Sequence, residues 1–190
     1  MLSDEQLEHS KRMQAEFVGK RYAGATLSSF AVNGDNEKIA QWIKNNKNFL
    51  VFLGSPGVGK TYFCAALLPW VHPKVRSVRY WNERDLLARL REAISQEKGN
   101  YVKQLEYLLD DEFVMLDDMG SCGINDWRKE VWFEAIDMRY ESQKPTVITS
   151  NMTRGEIFSS LGPRCHSRLF SKENLIIEMH DGMDLRQQNF

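Results

Sequence analysis

The sequence predicts an α/β fold around a parallel sheet, and three observations predict it. Short apolar runs alternate along the chain with stretches of helical periodicity. One such run, Phe49-Leu50-Val51-Phe52-Leu53, leads directly into Gly54-Ser55-Pro56-Gly57-Val58-Gly59-Lys60-Thr61, which reads G-x-x-x-x-G-K-T. Another, Phe113-Val114-Met115-Leu116, ends on Asp117-Asp118. Strand, glycine-rich turn and helix in that order are the context of a phosphate-binding P-loop. Runs that are apolar throughout suit strands buried on both faces.

A chain of 190 residues is most simply one domain, long enough to bury a substantial core. Its formal net charge of −1 excludes bulk attraction to nucleic acid or to an anionic membrane, so any basic surface must be local. Cys64, Cys122 and Cys165 lack metal-ligand spacing and read as reduced thiols. The N-terminus has no signal pattern, and no apolar run approaches the ~20 residues of a membrane span. The expectation is a cytoplasmic protein with no membrane partner.

The elements follow in order. Asp4 to Val18, behind a Ser3/Gln6 capping box, reads as a mostly polar helix of weak amphipathicity. The plain expectation is a frayed surface helix; the sharper one is a partner-docking segment, residues 1–20, ahead of a domain at 21–190. Arg21 to Phe30 reads as an extended lead-in, Asn33-Gly34-Asp35 as a turn, and Glu37 to Lys44 as a helix burying Ile39, Trp42 and Ile43. After the strand at 49–53, a helix runs from Lys60 to about Trp70, and Pro73 breaks the connection to a strand at Val75 to Trp81. Glu83 to about Gln96 is an amphipathic helix with Leu86, Leu87, Leu90 and Ile94 on one face. Gly99-Asn100 interrupts before a shorter helix, Tyr101 to Leu109. The apolar run at 113–116 is a central strand. Asp126 to Ser142 is a long helix, and Pro145 sets up the strand Thr146 to Thr149. Thr153 and Glu156 form a capping box for a helix to Leu161. A short basic helix ending near Phe170 and a last strand, Leu175 to Met179, complete a five-stranded sheet.

Four groups of residues carry chemistry. Gly54, Gly57 and Gly59 let the backbone curl so that successive N–H groups, with those of Ser55, Pro56's neighbours and Val58, surround phosphate oxygens. The helix N-terminus adds its dipole. Lys60 reaches the β- and γ-phosphates, the Thr61 hydroxyl ligates Mg²⁺, and Tyr62 completes the ATP-binding run. Asp117, at the C-terminal end of a buried strand, holds Mg²⁺ beside the loop, and Asp118 is placed to polarise an attacking water. Asn151, in Thr149-Ser150-Asn151 after the next strand, is placed to sense the γ-phosphate. Arg164 and Arg168, one helical turn apart, share a face and could supply a guanidinium to phosphoryl transfer, or be a solvated basic helix end.

Taken together, the P-loop, Val114-Met115-Leu116-Asp117-Asp118-Met119-Gly120, Arg139-Tyr140 to Lys144-Pro145-Thr146, Thr149-Ser150-Asn151 and Leu161-Gly162-Pro163-Arg164 to Ser167-Arg168-Leu169 resemble the AAA+ ATPase core of the DnaC/DnaI helicase loaders and the related IstB transposition helpers. Phe30 and Asn36 in the lead-in and the ending Gly182 to Arg186 fit the same family. The resemblance implies that Asn151 is sensor 1 and that Arg168 is the arginine finger acting on ATP in an adjacent subunit, with Arg164 a second contact. Arg139 matches a family arginine without an evident job, and Arg186 could stand in for a lid arginine. The AAA+ domain is expected at 21–190, without a C-terminal helical lid and without the separate helicase-binding domain that loaders carry.

The implied function is an ATP-dependent DNA replication helper that binds ATP, Mg²⁺ and single-stranded DNA and acts on a replicative helicase as a homo-oligomer. Its ATPase would be weak until assembled. Arg84, Arg89, Arg91, Lys98 and Lys103 are candidate DNA contacts, with Tyr101 as a stacking residue; an amphipathic helix's solvated face explains the arginines equally. The alternatives are a transposase helper of the same fold and a P-loop small-molecule kinase.

Overall fold

Strands and helices alternate almost throughout: α1 (Asp4–Phe17), α2 (Asn36–Asn45), β1 (Phe49–Gly54), α3 (Lys60–Val71), β2 (Val78–Asn82), α4 (Glu83–Gln96), α5 (Tyr101–Leu109), β3 (Phe113–Met119), α6 (Asp126–Glu141), β4 (Thr146–Ser150), α7 (Arg154–Leu161), α8 (Pro163–Leu169) and β5 (Leu175–Met179). This is a computed structural model, and it describes residues 4–29, 36–45, 48–96 and 101–179. The expectations for Ser3, Phe30, the 33–35 turn, the side chain of Asn36, Lys98, Gly99-Asn100 and Gly182 to Arg186 lie outside the described residues.

The five strands form one sheet, ordered β2-β3-β4-β1-β5, with every pairing parallel. The alternating side chains of each strand sort into two cores. Phe49, Val51, Leu53, Val114, Leu116 and Ile148 pack beneath α4 to α8. Leu50, Phe52, Phe113, Met115, Val147 and Ile177 pack against α1, α2 and α3 on the other face. Three layers result, with the C-terminal ends of all strands at one edge. No helix among the described residues is long and apolar enough to cross a membrane.

Most elements begin and end near their predicted bounds. Asn125 caps α6 by accepting from Arg128 N at 2.9 Å, and the Thr153/Glu156 capping box starts α7. Three differences stand out. The strand at 75–81 begins only at Val78, because Pro73 sits in a 3-10 turn, His72–Lys74, that uses up the preceding residues. The extended lead-in contains two 3-10 turns, Lys20–Tyr22 and Leu27–Ser29. And α1 is not a frayed surface helix. Gln14, 1% exposed, donates to Ala25 O at 2.8 Å and Ala65 O at 3.1 Å and accepts from Gly24 N at 2.7 Å. One amide thereby binds α1 to the lead-in and to α3, a contact that a weak apolar stripe does not announce.

Arg139 has a structural job. It is 1% exposed on α6, and its Nε donates to Thr146 Oγ1 at 2.8 Å. Its terminal nitrogens donate to the carbonyls of Leu109, Asp111, Glu112 and Pro145. These carbonyls flank the starts of β3 and β4, so one planar guanidinium holds both strand entrances. Burial pulls its pKa down to about 10, which leaves it charged at neutral pH. Replacing Arg139 by Leu strands several buried acceptors and should cost on the order of 3–5 kcal/mol in urea unfolding. Arg139→Lys should recover only part, since an ammonium cannot span the same acceptors; a loss below about 1 kcal/mol for Leu would contradict the clamp.

Candidate nucleotide site

Alternation decides which side chains meet at the C-terminal edge of the sheet. On β3, Phe113 and Met115 face the α3 side, so Asp117 faces it too. Val147 carries Thr149 the same way on β4, and Val78 carries Tyr80 on β2. Asn82 pairs with Asp117 across β2 and β3, and Leu116 pairs with Ile148 across β3 and β4. Tyr80, Asp117 and Thr149 therefore become neighbours on three adjacent strands, with the first turn of α3 above them.

The Asp117 carboxylate is 1% exposed. Thr61 Oγ1 donates to its Oδ2 at 2.8 Å, and Tyr80 Oη donates to the same oxygen at 2.7 Å. Thr149 Oγ1 donates to Oδ1. A buried carboxylate without donors is costly, and these hydroxyls remove that cost. Burial first, and the Asp117 charge second, push the Tyr80 phenol well up, so it keeps its proton and remains a donor. The Cys64 thiol, 4.0 Å from Oδ1, is raised by burial and then by Asp117 and Asp118, so it stays a neutral thiol.

Asp118 breaks the alternation. The β3–β4 register shifts between Leu116 and Met119, and Asp118 has φ 61°, a left-handed conformation that Asp tolerates better than most residues. Its N–H donates to Thr149 Oγ1 at 3.0 Å, so the hydroxyl that holds one aspartate's side chain also holds the next one's backbone. Ser150 Oγ donates to Met119 O at 2.6 Å and accepts from Met152 N at 3.0 Å, which fixes the turn where exposed Asn151 follows β4.

The P-loop lies between β1 and α3. Gly57 and Gly59 have φ 91° and 94°. A Cβ on Gly54 would sit 2.6 Å from Met179 O and 3.0 Å from Val58, so glycine is what lets β5 close on the start of the loop. Ser55 and Pro56 are exposed and Val58 is buried. Lys60, 5% exposed, donates to Gly54 O at 2.7 Å and Ser55 O at 2.9 Å. Tyr62 Oη accepts from Thr26 N at 3.1 Å and ties the lead-in to α3. The Thr61 hydroxyl and Asp117 carboxylate are hard oxygen donors beside a helix N-terminus, a set that fits Mg²⁺ delivered with phosphates. Among the described residues no group of three or more His, Cys, Asp or Glu gathers for a metal, so most ligands of such an ion would come from phosphate and water.

Lys60, Thr61, Asp117, Asp118, Thr149 and Asn151 thus come from one edge of the sheet. Arg164 and Arg168 do not join them. Both sit on α8, which packs on α6 and α7 in the opposite layer, while α3 lies on the other face. Arg168 pairs with Asp137 and lies 3.7 Å from Glu141, and its guanidinium lies near the rings of Phe133 and Tyr140 at 5.7 and 5.8 Å. Arg164 is exposed with Phe133 6.0 Å away, so the two arginines do share a face.

The sequence does not single out three residues that the site uses. Tyr80 lies in a strand whose polar partners are far away in sequence, so no local signal marks it. Glu83, 1% exposed, accepts from Trp132 Nε1 at 2.7 Å, Cys122 N at 2.7 Å and Ser121 Oγ at 3.0 Å. It pins the loop after β3 to α6, yet in the sequence it reads only as a helix start. Thr149's bridging hydroxyl is hidden within Thr149-Ser150-Asn151. Of the candidate DNA contacts, Arg84 and Lys103 are exposed, Arg89 pairs with Glu92 at 2.6 Å and Arg91 covers Trp127 at 4.7 Å. Tyr101 is half-buried and packs on the core, its phenol raised by burial and then by Glu134 and Glu130.

A family model of IstB-like ATP-binding proteins matches residues 29–165. An ATP-binding protein of insertion sequence IS5376 from Geobacillus stearothermophilus is 28% identical over 112 residues, covering 59% of this chain and 43% of that protein. The replicative helicase loader DnaC of Escherichia coli K12 is 23% identical over 119 residues, covering 63% of this chain and 49% of the loader. A crystal structure of the DnaC helicase loader superposes with a TM-score of 0.68 at 30% identity, over 83% of this chain and 99% of that one. The chain spans just under half the length of those two curated relatives.

Thr149→Val keeps the shape of the side chain but leaves Asp117 Oδ1 without its hydroxyl donor and Asp118 N without its acceptor. It should cost about 1–3 kcal/mol in urea unfolding. A neutral substitution would show that the hydroxyl bridges nothing of consequence.

Proposed function

We propose, for a chain that belongs to the IstB-like ATP-binding protein family and carries the AAA+ ATPase core shared with DnaC-type loaders, that it hydrolyses ATP at a site completed by a second copy of itself. The observation that carries this reading is the meeting of Thr61, Asp117 and Thr149 directly beneath the P-loop. Lys60 exchanges the carbonyls of Gly54 and Ser55 for β- and γ-phosphate oxygens. Thr61 and Asp117 would hold Mg²⁺, which when bound would neutralise charge on those phosphates. Asp118 and Asn151 place and polarise the attacking water.

Arg168 supplies the remaining positive charge in trans, with Arg164 beside it. Its position in the layer opposite α3 supports this, because a neighbouring subunit can present that face to the P-loop while the chain's own site cannot reach it. In the isolated chain Arg168 is occupied by Asp137 and Glu141, which fits a low basal rate. Assembly releases it.

The assembly acts in DNA replication as a loader that grips single-stranded DNA and a replicative helicase in the cytoplasm. The DnaC superposition over 99% of that structure supports this client. A transposase is the second reading, supported by the IstB-like family match and the insertion-sequence relative. Residues 1–20 serve as the client-docking segment ahead of the ATPase domain at 21–190. Leu7 on α1 and Trp70 on α3, 39% and 55% exposed, line one groove there.

Mixing Lys60→Ala with Arg168→Ala chains tests the shared site. Each variant alone should be inactive, and the mixture should recover a fraction of wild-type ATPase activity, because some interfaces pair an intact P-loop with an intact arginine. A mixture that stays inactive while wild type assembles and hydrolyses would remove Arg168 from the reaction in trans.

A further inference from the structure

Asp117 is approached from two sides. Thr61 and Thr149 reach it from α3 and β4, on the side of the P-loop. β2 lies on the other flank of β3, since the sheet order is β2-β3-β4-β1-β5. From there Tyr80 donates to Oδ2, the oxygen that also accepts from Thr61. Two hydroxyls from opposite flanks therefore meet on one carboxylate oxygen, while Thr149 holds the other. Such a carboxylate has little freedom to rotate about its terminal torsion, which is otherwise broad.

The tyrosine itself is well placed to be rigid. Tyr80 packs against the α3-side core, and its strand is in register with β3, Tyr80 opposite Met115 and Asn82 opposite Asp117. Its ring leans forward by one strand repeat to bring the hydroxyl to Asp117. The hydrogen bond joins two strands and shares its acceptor oxygen with Thr61, so it acts on the aspartate directly and reaches the P-loop only through that carboxylate.

We infer that Tyr80 is a positioning residue for Mg²⁺: it holds Asp117 from the β2 side so that the carboxylate is already oriented when metal and nucleotide arrive. This rests on the ATP reading of the same site and deepens it. Groups that hydrogen-bond a metal-holding side chain commonly set metal affinity, with losses of about 10- to 100-fold when they are removed. With Thr61 and Thr149 still in place, Tyr80→Phe belongs at the lower end of that range.

The test uses the full chain and a fluorescent ATP analogue, with affinity measured in EDTA and then across a Mg²⁺ titration. Phe keeps the ring and its packing, and a thermal melt checks that the fold is retained. Tyr80→Phe should bind the analogue in EDTA within about twofold of wild type, yet need about tenfold more Mg²⁺ to reach half of the metal-dependent tightening. In an Asp117→Asn background the same substitution should add no further shift. An unchanged or lower Mg²⁺ midpoint, an equal loss in EDTA, or a shift that persists in the Asp117→Asn background would each overturn the inference. A wild-type chain that binds no nucleotide would remove the parent reading and this one together, whereas nucleotide binding with an identical Mg²⁺ response in Tyr80→Phe removes only this one.

Discussion

A carboxylate is buried on β3 at the sheet's C-terminal edge, and the site is arranged around it. Asp117 has almost no access to water, so its charge must be met by protein donors. Those donors come from α3, β4 and β2, the last two being the strands on either side of β3. Strand order, register and side-chain parity all have to be right for three hydroxyls so distant in sequence to meet at one point. The demand of one charge thereby ties the P-loop helix to the middle of the sheet. The bulge at Asp118 follows from the same arrangement, because Thr149 holds the side chain of one aspartate and the backbone of the next.

Two arginines show how location decides what a charge does. Arg139 lies on the buried face of α6, and four backbone carbonyls and a threonine hydroxyl absorb its donors, so it is part of the frame. Arg168 packs on the same helix from outside, against Asp137 and Glu141, where one quarter of its side chain meets solvent. The first arginine is committed to the fold, and the second is the one that the proposed shared site would draw away from its acidic partners.

Much of this was legible in the sequence because its signals are local. The P-loop, the apolar strands ending on acids, and the Thr153/Glu156 capping box each lie within a few residues, and each took the predicted form. Parity was also readable once the strands were placed, and it puts Asp117 and Thr149 on the α3 face. What stayed hidden was long-range and polar. Tyr80 and Asp117 are 37 residues apart, Glu83 and Trp132 are 49 apart, and Gln14 meets Ala65 across 51. Nothing in the neighbourhood of these residues sets them apart from an ordinary strand tyrosine, a helix-starting glutamate or a surface glutamine. The arginines on α4 are a third case: their spacing invites a nucleic-acid reading, and the structure sets exposed Arg89 beside Glu92 and exposed Arg91 over Trp127.

In the proposed mechanism Asp117 is the group through which metal and nucleotide are coupled. Calorimetric titration of ATP into Asp117→Asn, with and without Mg²⁺, tests that most directly. The variant should bind ATP in EDTA about as well as wild type and gain little from added Mg²⁺, because the P-loop is intact and only the metal's carboxylate is gone. A variant that tightens on Mg²⁺ as wild type does would contradict the account.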